Sequence, residues 1–191
     1  MLMLISGLLL WSIIHLFPSL APEKRQAVID KRGEKAYKAA FAICILAGLA
    51  LIVFGWRSMT MIAAYREFLY VAPIGVMHFA KLVVLIAFII FGASNYPSRI
   101  RQYIRHPQLT GVFIWACAHL VMNGDVRSVV LFGGMALWSL LSIILINRRD
   151  GEYVKPEVPG WGREIRGLVI SIIIFGVVTA IHPYIAGMPV A

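Results

Sequence analysis

Residues 126–147 read VRSVVLFGGMALWSLLSIILIN, and this stretch decides the fold class. Beyond Arg127 it holds no charged side chain over the length of a membrane crossing, which takes about 20 residues of helix. A helix at a soluble surface keeps a polar stripe for water, and this one has none.

Working outward, five further runs share the character: 1–20, 39–56, 68–96, 107–122 and 167–187. Six spans follow. The run 68–96 is long and interrupted by Pro73, Gly75, His78 and Lys81, which predicts a kink or strong tilt. The run 107–122 is short for a crossing. Residues 1–20 lack the basic start and small-residue cleavage site of a secretory signal and read as a retained helix. No segment alternates at a period of two, as a lipid-facing barrel requires. The expected fold is all-α: one polytopic membrane bundle over residues 1–191.

Composition agrees. Of 191 residues, 60% are apolar and 14% charged, with a mean hydropathy of +0.82. Soluble domains run closer to half apolar and a quarter charged, and a core of this size cannot hide the excess. Soluble enzymes and disordered or disulfide-stapled chains are excluded. Cys44 and Cys117 both lie inside apolar runs and show no metal-ligand spacing.

The net charge of +9 is a topology signal rather than a sign of nucleic-acid binding. Fourteen of the 18 Lys and Arg residues fall in the first, third and fifth gaps between spans, and only Arg57, Arg66 and Arg127 in the second and fourth. The positive-inside rule puts the odd loops in the cytoplasm and both chain ends on the periplasmic side. The expected location is the bacterial inner membrane, with the lipid bilayer as principal partner.

Ionisable groups at membrane depth are expensive and mark function. Here they are His15, His78, Lys81, His119 and His182. Imidazoles on facing helices can ligate haem iron from both sides, and without a Cys-x-x-Cys-His motif such a haem is non-covalent. At about 1.5 Å per residue, His119, His182 and His78 lie roughly 18–27 Å from the cytoplasmic helix ends and His15 only about 8 Å. Depth therefore pairs His119 with His78 or His182 more easily than with His15. Lys81 stands one turn beyond His78, suited to a carboxylate or a haem propionate. No Asp or Glu lies within a span, which argues against a proton pump.

Three short motifs add local expectations. Asn123-Gly124-Asp125 makes a tight turn in which Asp125 caps the next helix. Arg105 and His106 precede Pro107 at a helix start facing the cytoplasm, where Arg suits phosphate. Small residues Gly133, Gly134, Ala136 and Ser139 suit close helix contact.

Together these residues resemble the NnrU family of bacterial membrane proteins over nearly the whole chain. The resemblance rests on His15, Arg32-Gly33, Arg105-His106-Pro107-Gln108-Leu109, the block from Trp115 to Asp125, Leu131-Phe132-Gly133 with Trp138, and the ending from His182 to Gly187. It implies a link to nitrogen-oxide metabolism and kinship with the plant 15-cis-zeta-carotene isomerase, a membrane haem b protein. It also implies His15 and His119 as the iron ligands, against the depth ordering, and a small apolar substrate or redox partner. The isomerase has a Cys three residues before its later ligand, where this chain has Ala116, with Cys117 one residue nearer. Two other readings stand beside it. Arg105 to Gly111 is similar to the start of the isoprenylcysteine methyltransferase region, and a non-catalytic transporter or assembly factor would share the same spans.

Overall fold

Proline and glycine set the boundaries that hydropathy leaves open. The computed structural model describes residues 1–59 and 62–187. In chain order these form α1 (Leu2–Leu20), α2 (Pro22–Arg32), α3 (Glu34–Ser58), α4 (Ile74–Gly92), α5 (Pro107–Met122), α6 (Val126–Asp150) and α7 (Trp161–Ala186). Short 3-10 turns occupy Ala63–Arg66 and Arg99–Gln102. Among the described residues five helices, α1, α3, α4, α6 and α7, are long and apolar enough to cross a membrane, and α5 is a shorter apolar helix of 16 residues.

Several boundaries differ from the hydropathy reading, including the start of α3 at Glu34 instead of 39 and the end of α4 at Gly92 instead of 96. The first loop contains α2, which starts with Pro22 in its first turn, carries Glu23 there and ends on Lys31 and Arg32. Those charges complement the helix dipole at both ends. Gly33, at φ 84, breaks α2 from α3. The run 68–96 is not one kinked helix: α4 begins at Ile74 because Pro73 stands at its N-cap in an extended conformation. Residues before it form a strap instead. At the other end of the chain, α7 starts six residues earlier than expected, because the polar turn Trp161–Arg166 still has helical propensity outside the apolar run.

The helices pack in the order α3, α1, α6, α5, α4, α7, each against the next. The row curls, and the Trp56 indole N–H of α3 donates to the Ala186 carbonyl of α7 at 3.1 Å. Glycine makes the α1–α3 seam tight. A Cβ on Gly55 would meet the Leu4 backbone nitrogen at 2.5 Å, and one on Gly7 the Ile52 nitrogen at 2.7 Å, so the two backbones touch. Of the small residues in α6, Gly134 receives the Leu8 side chain, while Ala136 packs with Ala116 and Phe132 and Ser139 is fully buried. Gly133 faces open space and makes no such contact.

One end of the bundle gathers the start of α1, the ends of α3 and α7, the strap and the α5–α6 turn. Leu4 packs with Met59 and Tyr65, and the strap pairs Phe68 with Asp125. Met1 and Ala186 therefore lie at the same end, opposite the basic loops. At the basic end, Arg149 donates to Ser19 Oγ at 3.2 Å and Ser98 Oγ donates to Glu164 at 2.8 Å.

Candidate functional site

A cavity of about 190 Å³ opens between α4, α5 and α7. Helix periodicity brings its polar groups together. Lys81 and Phe88 lie seven residues apart on one face of α4, as do Phe175 and His182 on α7. Trp115 and His119, four apart, supply the α5 wall. Trp56 and Phe132 close the floor, and Phe88 meets Phe175 edge to face at 5.5 Å, shutting the cleft toward the basic end. Two histidines and one lysine thus share an enclosure of five aromatic side chains.

The His119 ring is held firmly. Its Nδ1 lies 2.9 Å from the Trp115 carbonyl, and because a carbonyl only accepts, Nδ1 carries the proton. In the neutral ring Nε2 then keeps its lone pair for a ligand. Trp115 and Phe132 flank the ring with centroids at 4.8 and 4.6 Å. His182 lines the facing wall from α7, and Asn123 the rim. Asn123 caps α5, its side-chain amide donating to the His119 carbonyl at 3.0 Å.

The remaining embedded histidines stand elsewhere. His15 lies in a box of aromatic rings: Trp11 at 4.3 Å, Trp138 at 5.1 Å and Phe41 at 5.7 Å. It does not line the cleft. Its contact on α6, Trp138, is six residues beyond Phe132, the contact of His119. That is about 9 Å along the axis and about 120° around it. The pairing of His15 with His119 that the resemblance implies is therefore not brought together, whereas that of His119 with His182 is. His78 is exposed on α4, its Nδ1 donating to the Ile74 carbonyl at 2.9 Å, and lies outside the cleft.

The turn after α5 is a structural joint. Asp125 caps α6 by accepting from the Ser128 N–H at 3.1 Å and from its hydroxyl at 2.5 Å. Arg127, expected as a loop charge, is buried at 2% exposure. Its Nε lies 3.4 Å from Asp125, and its guanidinium sits 4.3 Å over the Trp56 ring. A buried cation so close to a carboxylate and an indole links the turn to the cleft floor. The strap locks over the same turn: Leu69 N–H donates to the Gly124 carbonyl at 2.8 Å, and the Tyr70 hydroxyl donates to the Leu120 carbonyl. Burial, and next the charge of Asp125, push the Tyr70 phenol above its ordinary pKa.

At the basic end Arg105 donates to the Gly151 carbonyl at 2.5 Å, and His106 Nε2 lies 2.9 Å from Asn147 Oδ1. Both residues join α5 to the end of α6 and stand apart from the cleft. In the sequence Trp115 and Phe132 stand out only through the family motifs, Trp56, Phe88 and Phe175 are unmarked, and Arg127 reads as a loop charge. The seven-residue spacing of Phe88 and Phe175 from Lys81 and His182 was the available signal. Among the described residues no three His, Cys, Asp or Glu side chains gather as metal ligands.

No curated protein and no solved structure matches the chain. The family model described as NnrU protein matches residues 3–190, nearly the whole length. The chain belongs to the NnrU family.

Proposed function

We propose that this is an inner-membrane protein that binds haem b in the α4–α5–α7 cleft, where His119 and His182 would hold the iron. One observation carries the reading: two histidines from different helices line the same aromatic-walled cleft. His119 also has its second ring nitrogen tied to a carbonyl, as metal-bound histidines usually do. Lys81 is the cation for a propionate. Haem, when bound, would supply an iron centre for electron transfer or, once one imidazole leaves, for binding a small ligand. The residues around it orient the imidazoles and keep water away.

The fit has a condition. The cleft runs from Met77 to Phe88 along α4, about 16 Å of helix. Its enclosed volume of about 190 Å³ nevertheless lies between the roughly 150 Å³ that accepts benzene and the roughly 300–1,000 Å³ of ordinary ligand pockets. The donor set suits haem, and the macrocycle requires α7 to stand farther out. That shift would have to release or carry along two contacts of α7, the Trp56–Ala186 hydrogen bond and the Phe88–Phe175 ring contact.

Cis-trans isomerisation of an apolar polyene is the task that kinship with the carotene isomerase implies, and the apolar lining of the cleft is compatible with an apolar substrate. Nitrogen-oxide metabolism is the alternative task of the same haem. As for the methyltransferase reading, Arg105 and His106 are engaged with Gly151 and Asn147 at the end of α6. Absorbance of protein purified in detergent from haem-replete cells tests the proposal. A Soret band in proportion to protein, lost in His119→Ala, supports it, and a colourless preparation overturns it.

A further inference from the structure

The seam between α4 and α7 holds a second cavity, beyond the Phe88–Phe175 pair toward the basic end. It measures about 260 Å³. Arg163 and Arg166 line it together with Asn95 and Tyr96, and Ile170 and Ile174, one and two turns farther along α7, line it too. Cationic and apolar side chains lining one cavity suit an anion with a hydrocarbon tail. We propose that this cavity binds the phosphodiester headgroup of an anionic phospholipid, Arg163 and Arg166 taking the phosphate and Ile170 and Ile174 one acyl chain.

Three observations carry it. Arg163 and Arg166 occupy the first turns of α7, where positive charge opposes the helix dipole and an anion is favoured. The nearest acid in that turn is already occupied: Glu164 accepts from the Ser98 hydroxyl and from the Arg99 N–H, each at 2.8 Å. Among the described residues neither guanidinium forms a salt bridge with an acid. Finally, Trp161 is exposed at the start of α7 under the Arg99 guanidinium, 4.2 Å from its ring. An indole in that setting marks the headgroup level. Basic pockets between helices on the cytoplasmic side are where anionic headgroups bind.

Phosphate is the shared chemistry of a lipid headgroup and a free phosphate ion, and the proposal commits to the lipid. The test is native mass spectrometry of the full chain in detergent with added phosphatidylglycerol, phosphatidylcholine or inorganic phosphate. The expected result is a single retained phosphatidylglycerol, favoured about tenfold over phosphatidylcholine. That preference disappears in Arg163→Gln/Arg166→Gln and survives in Lys24→Gln/Lys31→Gln, which removes equal charge from α2. Both arginines are exposed, so an unchanged melting temperature without lipid is expected of the double variant. Equal retention of the two lipids, equal loss in both double variants, or displacement of the lipid by inorganic phosphate overturns the proposal.

Discussion

His15 and His119 begin from the same local chemistry. Each follows a tryptophan by four residues, and each donates Nδ1–H to that tryptophan's carbonyl, at 2.8 Å for His15 and 2.9 Å for His119. Each ring also rests on that indole, with centroids at 4.3 and 4.8 Å. What differs is the far side of the ring. His15 meets Trp138 and Phe41, so its site is filled with side chains. His119 faces a cleft shared with His182 and Lys81. The i to i+4 hydrogen bond selects the tautomer in both, and the helices packed opposite decide whether the remaining nitrogen has anything to bind.

The largest expected effect separates the two regions through α6. Trp138→Ala and Phe132→Ala each remove a buried ring and should cost roughly 3–5 kcal/mol, read as a fall in melting temperature in detergent. Only Phe132→Ala, which opens the cleft floor, should also reduce pigment per folded protein. Equal pigment loss in both variants breaks the distinction.

A smaller effect is expected at the strap. Tyr70 holds the Leu120 carbonyl, next to His119, and among the described residues no such strap contact is made at His15. Tyr70→Phe should cost about 1 kcal/mol or less. Because the folded-state pKa of this phenol is raised, its stabilising contribution is complete below the ordinary tyrosine pKa of about 10 and is lost as pH rises through the folded value. Thermal melts followed to alkaline pH should therefore show a loss of stability in the wild type that Tyr70→Phe diminishes. An identical alkaline profile in the two proteins would separate the strap from Tyr70 ionisation.

The smallest effect belongs to the outward-facing histidine. His78→Ala should leave melting temperature and spectrum nearly unchanged, within about 0.5 kcal/mol, since the ring is exposed and its hydrogen bond is to the Ile74 carbonyl of its own helix. A large spectral change would draw His78 into the cleft and undo the assignment of α4's inner face to Lys81.

Much of the fold could be read along the chain because lipid imposes it locally. Apolar length located the spans, Pro107 and Asn123 bounded α5, and Asp125 announced its cap. Failures arose where local signals were ambiguous. Hydropathy passed over α2, although Pro22, Glu23, Lys31 and Arg32 are placed as a polar helix requires. It extended α4 back through Pro73, and it counted Arg127 among loop charges when Asp125 and Trp56 bury it. The site was legible in part. Depth favours His119 with His78 or His182 over His15; of those two, His182 lines the cleft and His78 stands outside it, and the two tryptophan–histidine pairs are indistinguishable until α6 and α7 are set against them.

The most direct measurement is the absorbance spectrum of His15→Ala and His182→Ala purified beside the wild type. The expected result is a Soret band in the wild type and in His15→Ala, with none in His182→Ala. A band that vanishes with His15 and persists without His182 would contradict the assignment of the cleft.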